Sequence, residues 1–433
     1  MKKKITLTVL SLFIAVFALH AQSNYVNKVI VVNEGHYDYN NFIQTVPVTV
    51  GAYDPSTRIY TVFDTIQNAQ FASNVIVDGA NIYVAADSQL VRYDANTYQR
   101  LGIAIVPGMR KLAVWNNQLL ITRGQYNTTY DSYFQVYDKI TLGFIYNLPV
   151  AAGPKYSTEG LIVKGDTAYV EVNNGFAFEP LIGLVGRVNL ASQTYMNEID
   201  LGVGGTNPEG IYSDNDNIYT VNNTDYTTSS VSKLNVSSQS VNTVNLGTIS
   251  GCGASGFIPG YVMYQVSGGN QMGRFNTSTL TVQDSLMIDR NIYGEATDTI
   301  NNLIYVGQTD YVTYGKIFIY DFSAALKDSF DVSVSPGDIA LDVRSKALGV
   351  NEPLQTHTLS CYPNPTHDQL LVVSGNNNNA GDTFVLTDIT GREINRINTN
   401  LSGFSVDMHT FGAGIYILSS LSDPVEKLKI VKQ

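Results

Sequence analysis

Pro336-Gly337-Asp338-Ile339-Ala340-Leu341 reads as a β-strand with no partner in its own neighbourhood, since the strands before it already form a complete set. Near the start of the chain the opposite defect occurs. Segment 28–66 holds only three strand-like runs, Val29–Asn33, Val48–Tyr53 and Ile59–Phe63, where every later unit holds four. An incomplete first unit and an orphan last strand explain each other if the last strand becomes the innermost strand of the first unit. Such a ring closes without an exposed edge.

The units are counted by a recurring turn. Tyr53-Asp54-Pro55-Ser56-Thr57, Tyr93-Asp94-Ala95-Asn96-Thr97 and Tyr137-Asp138-Lys139-Ile140-Thr141 are clear copies, and weaker ones begin at Val188, Leu234, Phe275 and Tyr320. The spacings are 40, 44, 51, 46, 41 and 45 residues, a pitch that predicts seven blades of four strands each. In every copy an Asp or Asn side chain is placed to accept the amide two residues on, closing an Asx-turn between strands. Upstream, Asn74–Gly79 with Asn81–Val84, and Gly160–Gly165 with Ala168–Val170, are β-branched runs punctuated by Asp, Asn and Gly, as strand–turn–strand units require. Full units are expected over 71–106, 108–150, 156–202, 206–247, 249–288 and 290–333. Asp214-Asn215-Asp216 looks superficially like a calcium loop but lacks its glycine and terminal glutamate, and reads as a hairpin turn.

Composition agrees with an all-β chain. Only 15% of the 433 residues are charged, so Tyr (28), Gly (36), Asn, Ser and Thr are expected to supply the surface polarity. Lys2-Lys3-Lys4 followed by the apolar run Ile5–Leu19 and Ala21 reads as a secretory signal peptide over 1–21, too short to span a bilayer. No cysteine stands near Ala21, so no lipid anchor is expected there. Its removal leaves 23 cations against 37 anions, a charge of −14 that disfavours nucleic acid as a partner. Cys252 and Cys361 are the only cysteines; they fall in different regions and read as two free thiols.

Ile218-Tyr219-Thr220-Val221-Asn222-Asn223, with Ile304-Tyr305-Val306-Gly307 as a degenerate copy, resembles the YVTN-type repeat of seven-bladed β-propellers over residues 25–345. The Val32-Asn33-Glu34-Gly35 opening is similar to that of bacterial surface propellers, some of which bind cobalamin. After Val350 the pattern changes to Cys361-Tyr362-Pro363-Asn364-Pro365, then Asp388…Gly391-Arg392, Gly414-Ile415-Tyr416 and a basic, apolar tail ending at Lys432. In that order, at the end of a chain, these elements resemble the C-terminal sorting domain of the type IX secretion system. The resemblance implies a small immunoglobulin-like β-sandwich over 360–433 that engages the secretion machinery, a linker over 346–359, and a propeller over 22–345 delivered through the periplasm to the cell surface or the medium.

The propeller offers little for catalysis. Of five histidines only His36 lies in it, and a single tryptophan, Trp115, speaks against quinone-binding propellers. No catalytic residue, metal or cofactor is expected. The residue two before each innermost strand is Ser73, Arg110, Glu159, Glu209, Ser255, Glu295 or Gly337, and these should ring one mouth of the central channel. Loops joining second and third strands should emerge on the same side, carrying Tyr37, Tyr126, Tyr130, Phe176, Phe178, Tyr226 and Tyr311 amid Asn, Ser and Gly. These residues, with Arg110, Glu159, Glu209 and Glu295, are the expected binding face for a small polar molecule, a glycan or a surface partner. A lyase or lactonase using the glutamates with a divalent ion, and a structural adhesin, are the alternatives.

Overall fold

Strand Pro336–Lys346 pairs along its length with Ser23–Asn33, from Ser23 opposite Lys346 to Asn33 opposite Pro336. The computed structural model describes residues 23–177, 179–250, 254–267, 271–288, 290, 292–346, 359–374, 382–399, 401, 403–421 and 427–433. The expected signal peptide, Phe178 and Cys252 lie outside the described residues, and Cys361 is a free thiol. The described residues fall into two units, 23–346 and 359–433.

The first unit has seven four-stranded antiparallel sheets. Blade 1 runs outward as Pro336–Lys346, Ser23–Asn33, Val48–Asp54 and Ile59–Ile66, the three-plus-one arrangement implied by the orphan strand. Blades 2 to 7 take their innermost strands from Asn74–Asp78, Met109–Trp115, Thr158–Lys164, Pro208–Ser213, Ser255–Ile258 and Glu295–Asp298. Each innermost strand touches the next, and Glu295–Asp298 touches Pro336–Lys346, so the ring is closed. One short 3-10 turn, Val203–Gly205, is the only helix among the described residues.

The core is a set of apolar layers between neighbouring blades. Alternation along a strand sends successive side chains to opposite layers. Ile30 and Val32 pack toward blade 2 beside Val75 and Ile82, while Val29 and Val31 pack toward blade 7 beside Tyr305 and Ile317. Second strands are therefore buried on both faces and read as continuous apolar runs. Here the expectation from composition needs correcting. Tyr83, Tyr93, Tyr219, Tyr264 and Tyr305 are among the largest fully buried side chains, so much of the tyrosine is core. Burial is tolerable because the hydroxyls reach partners: Tyr83 donates to the Lys139 carbonyl (2.9 Å), Tyr93 to Asp64 (2.6 Å) and Tyr219 to Asp214 (2.7 Å).

Six of the seven expected Asx-turns form, and the copy at Asn189 is displaced by one residue. Asp54, Asp94, Asp138, Asn235, Asn276 and Asp321 accept the amide two residues on, and Asn189 the one three on. Each turn then holds a non-glycine residue in the left-handed region, at Arg58, Tyr98, Leu142, Gln193, Gln239, Leu280 and Ala324. The side-chain bonds offset that strain. Asn276→Ala removes acceptors for two amides, both at 2.9 Å, and is expected to lower stability by about 1 kcal/mol, read as a lower melting temperature. The Asp214 segment is also a hairpin turn, its Oδ1 accepting the Asp216 and Asn217 amides.

The second unit is a β-sandwich. A three-stranded sheet (Leu359–Tyr362, Gln369–Ser374, Gly403–Asp407) faces a four-stranded one (Glu393–Thr399, Asp382–Asp388, Gly414–Ser420, Lys427–Lys432). Leu370, Val372, Phe384, Leu386, Phe404, Leu418 and Ile430 fill the space between them.

Candidate functional site

Antiparallel order places the loops entering the innermost strands and the loops joining second to third strands at one end of the ring. Contacts tie the two loop classes together. Tyr130 fills the space over Gly108, Asn173 donates to the Pro208 carbonyl (3.1 Å), and Asn223 donates to Glu209 (3.0 Å).

Backbone irregularity aims charge into this mouth. In blades 3, 4 and 5 the pairing of the innermost strand slips where Arg110 and Lys111, Glu159, and Glu209 sit. Bulges of this kind turn side chains out of the regular alternation and cluster near functional sites. The Thr122 hydroxyl bonds the freed Lys111 amide (2.9 Å), and the Glu171 carboxylate bonds the freed Gly160 amide (2.9 Å).

Arg110 and Glu159 form a two-pronged ion pair, Nε to Oε2 at 2.7 Å and Nη2 to Oε1 at 2.9 Å. The Phe176 ring lies over the guanidinium, 5.0 Å from centroid to Cζ. Tyr226 donates to the Gly175 carbonyl (3.2 Å), bracing the loop that carries Phe176. Glu295 accepts the Thr297 hydroxyl (2.7 Å). Tyr311 stands edge-on to Tyr293 (5.0 Å), and its carbonyl accepts a bond from His36 Nδ1 (2.7 Å). Tyr130 covers Arg123 (3.9 Å) and donates to Gln125 (2.5 Å). Tyr37 packs edge-on against Tyr39 (4.9 Å), and Tyr126 is 60% exposed. The structure thus gathers Arg110, Glu159, Glu209, Phe176 and Tyr226 around blades 3 to 5, and Tyr37 and Tyr311 on the two adjoining loops of blades 1 and 7.

Several participants were not expected from the sequence. Glu34 follows the second strand of blade 1 and accepts the Tyr293 hydroxyl (2.8 Å). Asp338 accepts the Val75 amide (2.6 Å) and Asn74 Nδ2 (2.8 Å), tying blade 1 to blade 2. Lys111 donates to the Ser73 carbonyl (2.9 Å). Tyr212 and Ser255 share a hydroxyl–hydroxyl bond (2.7 Å). Glu34 lies in the quoted Val32–Gly35 opening, and Asp338 in the closing strand itself. Both were visible, but an alignment by position before each innermost strand passes over them.

Burial sets the electrostatics. It pushes Glu34 up to about 7, against the opposing Tyr293 bond, and Glu295 up to about 8, against the Thr297 bond. Burial, then the nearby Glu159 charge, raises Glu209 to about 7. The same two causes hold Glu171 well above the usual carboxylate range, and burial raises Asp338. Among the described residues no three His, Cys, Asp or Glu side chains are placed to hold a metal ion.

The sorting-motif residues have structural work of their own. The Asn364 amide clamps the last strand, donating to the Lys429 carbonyl (2.7 Å) and accepting the Val431 amide (2.8 Å). Asp388 accepts the amides of Thr390 and Arg392, with Gly391 between them at φ 83°. Tyr416 donates to the Gly412 carbonyl (2.8 Å), and Lys432 is nearly buried beside Asp368 (3.7 Å).

Residues 360–433 match the family described as secretion system C-terminal sorting domain. This domain directs type IX secretion to the cell surface or beyond. No helix among the described residues is long and apolar enough to cross a membrane. A comparison with curated protein sequences gives no match. Among solved structures the chain is similar to a hypothetical selenium-binding protein from Sulfolobus tokodaii (TM-score 0.56, 8% identity, 74% of this chain and 94% of that one). It is also similar to a functionally unknown protein from Desulfotomaculum acetoxidans (0.54, 14%, 73% and 98%) and to a protein from Lactobacillus plantarum (0.53, 12%, 73% and 99%). At such identities the likeness concerns the fold alone. Deleting 360–433 is expected to leave the protein in the periplasm, as cell fractionation would show; its arrival at the surface or in the medium would contradict the assignment.

Proposed function

We propose that this is a non-enzymatic binding protein, delivered by the sorting domain, whose propeller mouth captures a polar small molecule, a glycan or a surface partner. The observation that carries this reading is the stack of Phe176 on Arg110 on Glu159. It joins the aromatic loops to the charged axis, so one ligand can touch both. Exposed aromatics continue the face: Tyr126 is 60% exposed and Tyr311 49%. Rigid aromatic rings amid Asn, Ser and Gly supply contact area at low entropic cost. His36, the one propeller histidine, is engaged with the Tyr311 carbonyl, and Arg110 occupies both oxygens of Glu159, which favours recognition over metal-assisted chemistry.

A thermal-shift screen of sugars, amines and amino acids tests the proposal, since a specific ligand stabilises the native state by mass action. The double variant Tyr126→Ala/Tyr311→Ala is expected to weaken any hit more than tenfold, about 1.4 kcal/mol. Each exposed site should change stability by no more than about 0.5 kcal/mol. Unchanged affinity in the double variant would remove these loops from the binding face.

A further inference from the structure

On the blade 4 and blade 5 side of the mouth stand more carboxyl groups than the chain pairs with cations. Glu171 reaches the amide of Gly160, next to Glu159, and Ile211, two residues from Glu209, borders the same space, while Arg110 is committed to Glu159 and Lys111 is turned to the Ser73 carbonyl. Glu171 is fully buried on the second strand of blade 4, and its carboxyl reaches into the space that a β-carbon on Gly160 of the innermost strand would occupy. Its Oε2 takes the Gly160 amide, but Oε1 has no hydrogen-bond partner, an arrangement that costs free energy while no donor comes near. Glu209 is half-buried, with one oxygen bonded to Asn223.

The loops over this place are aromatic. Phe176 lies on Arg110, and Tyr226 is fastened to the Phe176 loop at Gly175. Carboxylates beside aromatic faces are surroundings that favour ammonium groups. A compact metal ion does not fit, because no three acidic groups among the described residues converge to hold one. A primary ammonium needs fewer acceptors: its N–H donors can go to Glu209 and the unpaired oxygen of Glu171, and its apolar stem to the rings.

We propose that Glu209, with the unsatisfied carboxyl of Glu171 behind it and Phe176 and Tyr226 above, binds the primary ammonium group of a small polar amine such as an amino sugar or a polyamine. The inference rests on the mouth being a recognition face and names what one part of it takes. An ammonium prefers the ionised carboxylates, so it competes with the protons that burial keeps on Glu209, at about 7, and on Glu171. Arg110 and Lys111 oppose that competition only in part.

Titration calorimetry on the secreted chain, with D-glucosamine, putrescine and the neutral N-acetyl-D-glucosamine, tests the seat at pH 5.5 and 7.5 in buffers of different ionisation enthalpy. At least one amine should bind, at least tenfold tighter than N-acetyl-D-glucosamine and tenfold tighter at pH 7.5 than at 5.5, with protons released near pH 6.5. Binding by glucosamine alone or by putrescine alone assigns the source. Glu209→Gln, which can keep the Asn223 bond, should lose at least tenfold in amine affinity. Glu171→Gln should melt at a higher temperature at pH 7.5 while also binding amine more weakly. Failure of both amines to bind, equal binding of the neutral sugar, or full affinity in Glu209→Gln would overturn the ammonium seat. A neutral ligand lost in Tyr126→Ala/Tyr311→Ala but kept in Glu209→Gln would overturn it too, yet leave the recognition face standing.

Discussion

A fragment ending at Ser335 is expected not to fold, whereas 22–350 should melt cooperatively as an independent propeller. The shorter fragment loses only the closing strand, yet that strand makes ten register pairs with Ser23–Asn33. Ile339 and Ala340 also belong to two different apolar layers, one toward blade 7 and one toward blade 2. Its loss removes Asp338 from the Val75 amide and Asn74, and Asp342 from Asn27 (2.7 Å). The exposed flank of Ser23–Asn33 then becomes a long apolar edge of the kind that aggregates. Domains are stable by only about 5–15 kcal/mol, and losing a full strand's pairing together with contacts in two apolar layers removes a large share of that margin. Circular dichroism and thermal melts of the two fragments decide the matter; equal melting temperatures would mean that the ring does not depend on closure.

The fold was legible because its signals are local and repeated. An Asx-turn every forty-odd residues needs only an Asp or Asn at the right place, and six of the seven side chains bond the amide two residues on, Asn189 the one three on. The orphan strand was legible by subtraction. What tyrosine does was not, because Tyr83 and Tyr219 look like surface residues until their hydroxyls are seen to reach a carbonyl and a carboxylate. The mouth was legible in part for a similar reason. Arg110, Glu159 and Glu209 share a position relative to their strands, so alignment finds them. Lys111 joins them only through a bulge, and Glu171 comes from a second strand past a glycine, neither of which has a periodic signature.

The buried carboxylates of the mouth lead to the other large effect, a propeller expected to be more stable at pH 5 than at pH 8. Glu34 and Glu209 at about 7, and Glu295 at about 8, all stand above an ordinary value of 4.5. Between pH 4.5 and 8 the folded chain therefore binds more protons than the unfolded one, and stability must fall as pH rises through that window. Each pKa unit is worth about 1.4 kcal/mol, so raised groups in this number should produce a clear fall in melting temperature by pH 8. The opposite slope begins only in stronger acid. There Asp225 and Asp310, both lowered to about 2 chiefly by hydroxyl and amide bonds within their own loops, lose their stabilising ionised form. Maximum stability is thus placed near pH 5, between the two sets of groups. Glu295→Gln removes one of the raised groups while preserving its shape, and should flatten the decline between pH 6 and 8 without altering stability at pH 5. Melting temperatures of wild type and variant across pH 4 to 9 provide the measurement. A wild-type profile that is flat or rises from 5 to 8 would mean that water or ions reach these carboxylates, and that the mouth is a hydrated funnel rather than a site whose buried carboxyls are held protonated.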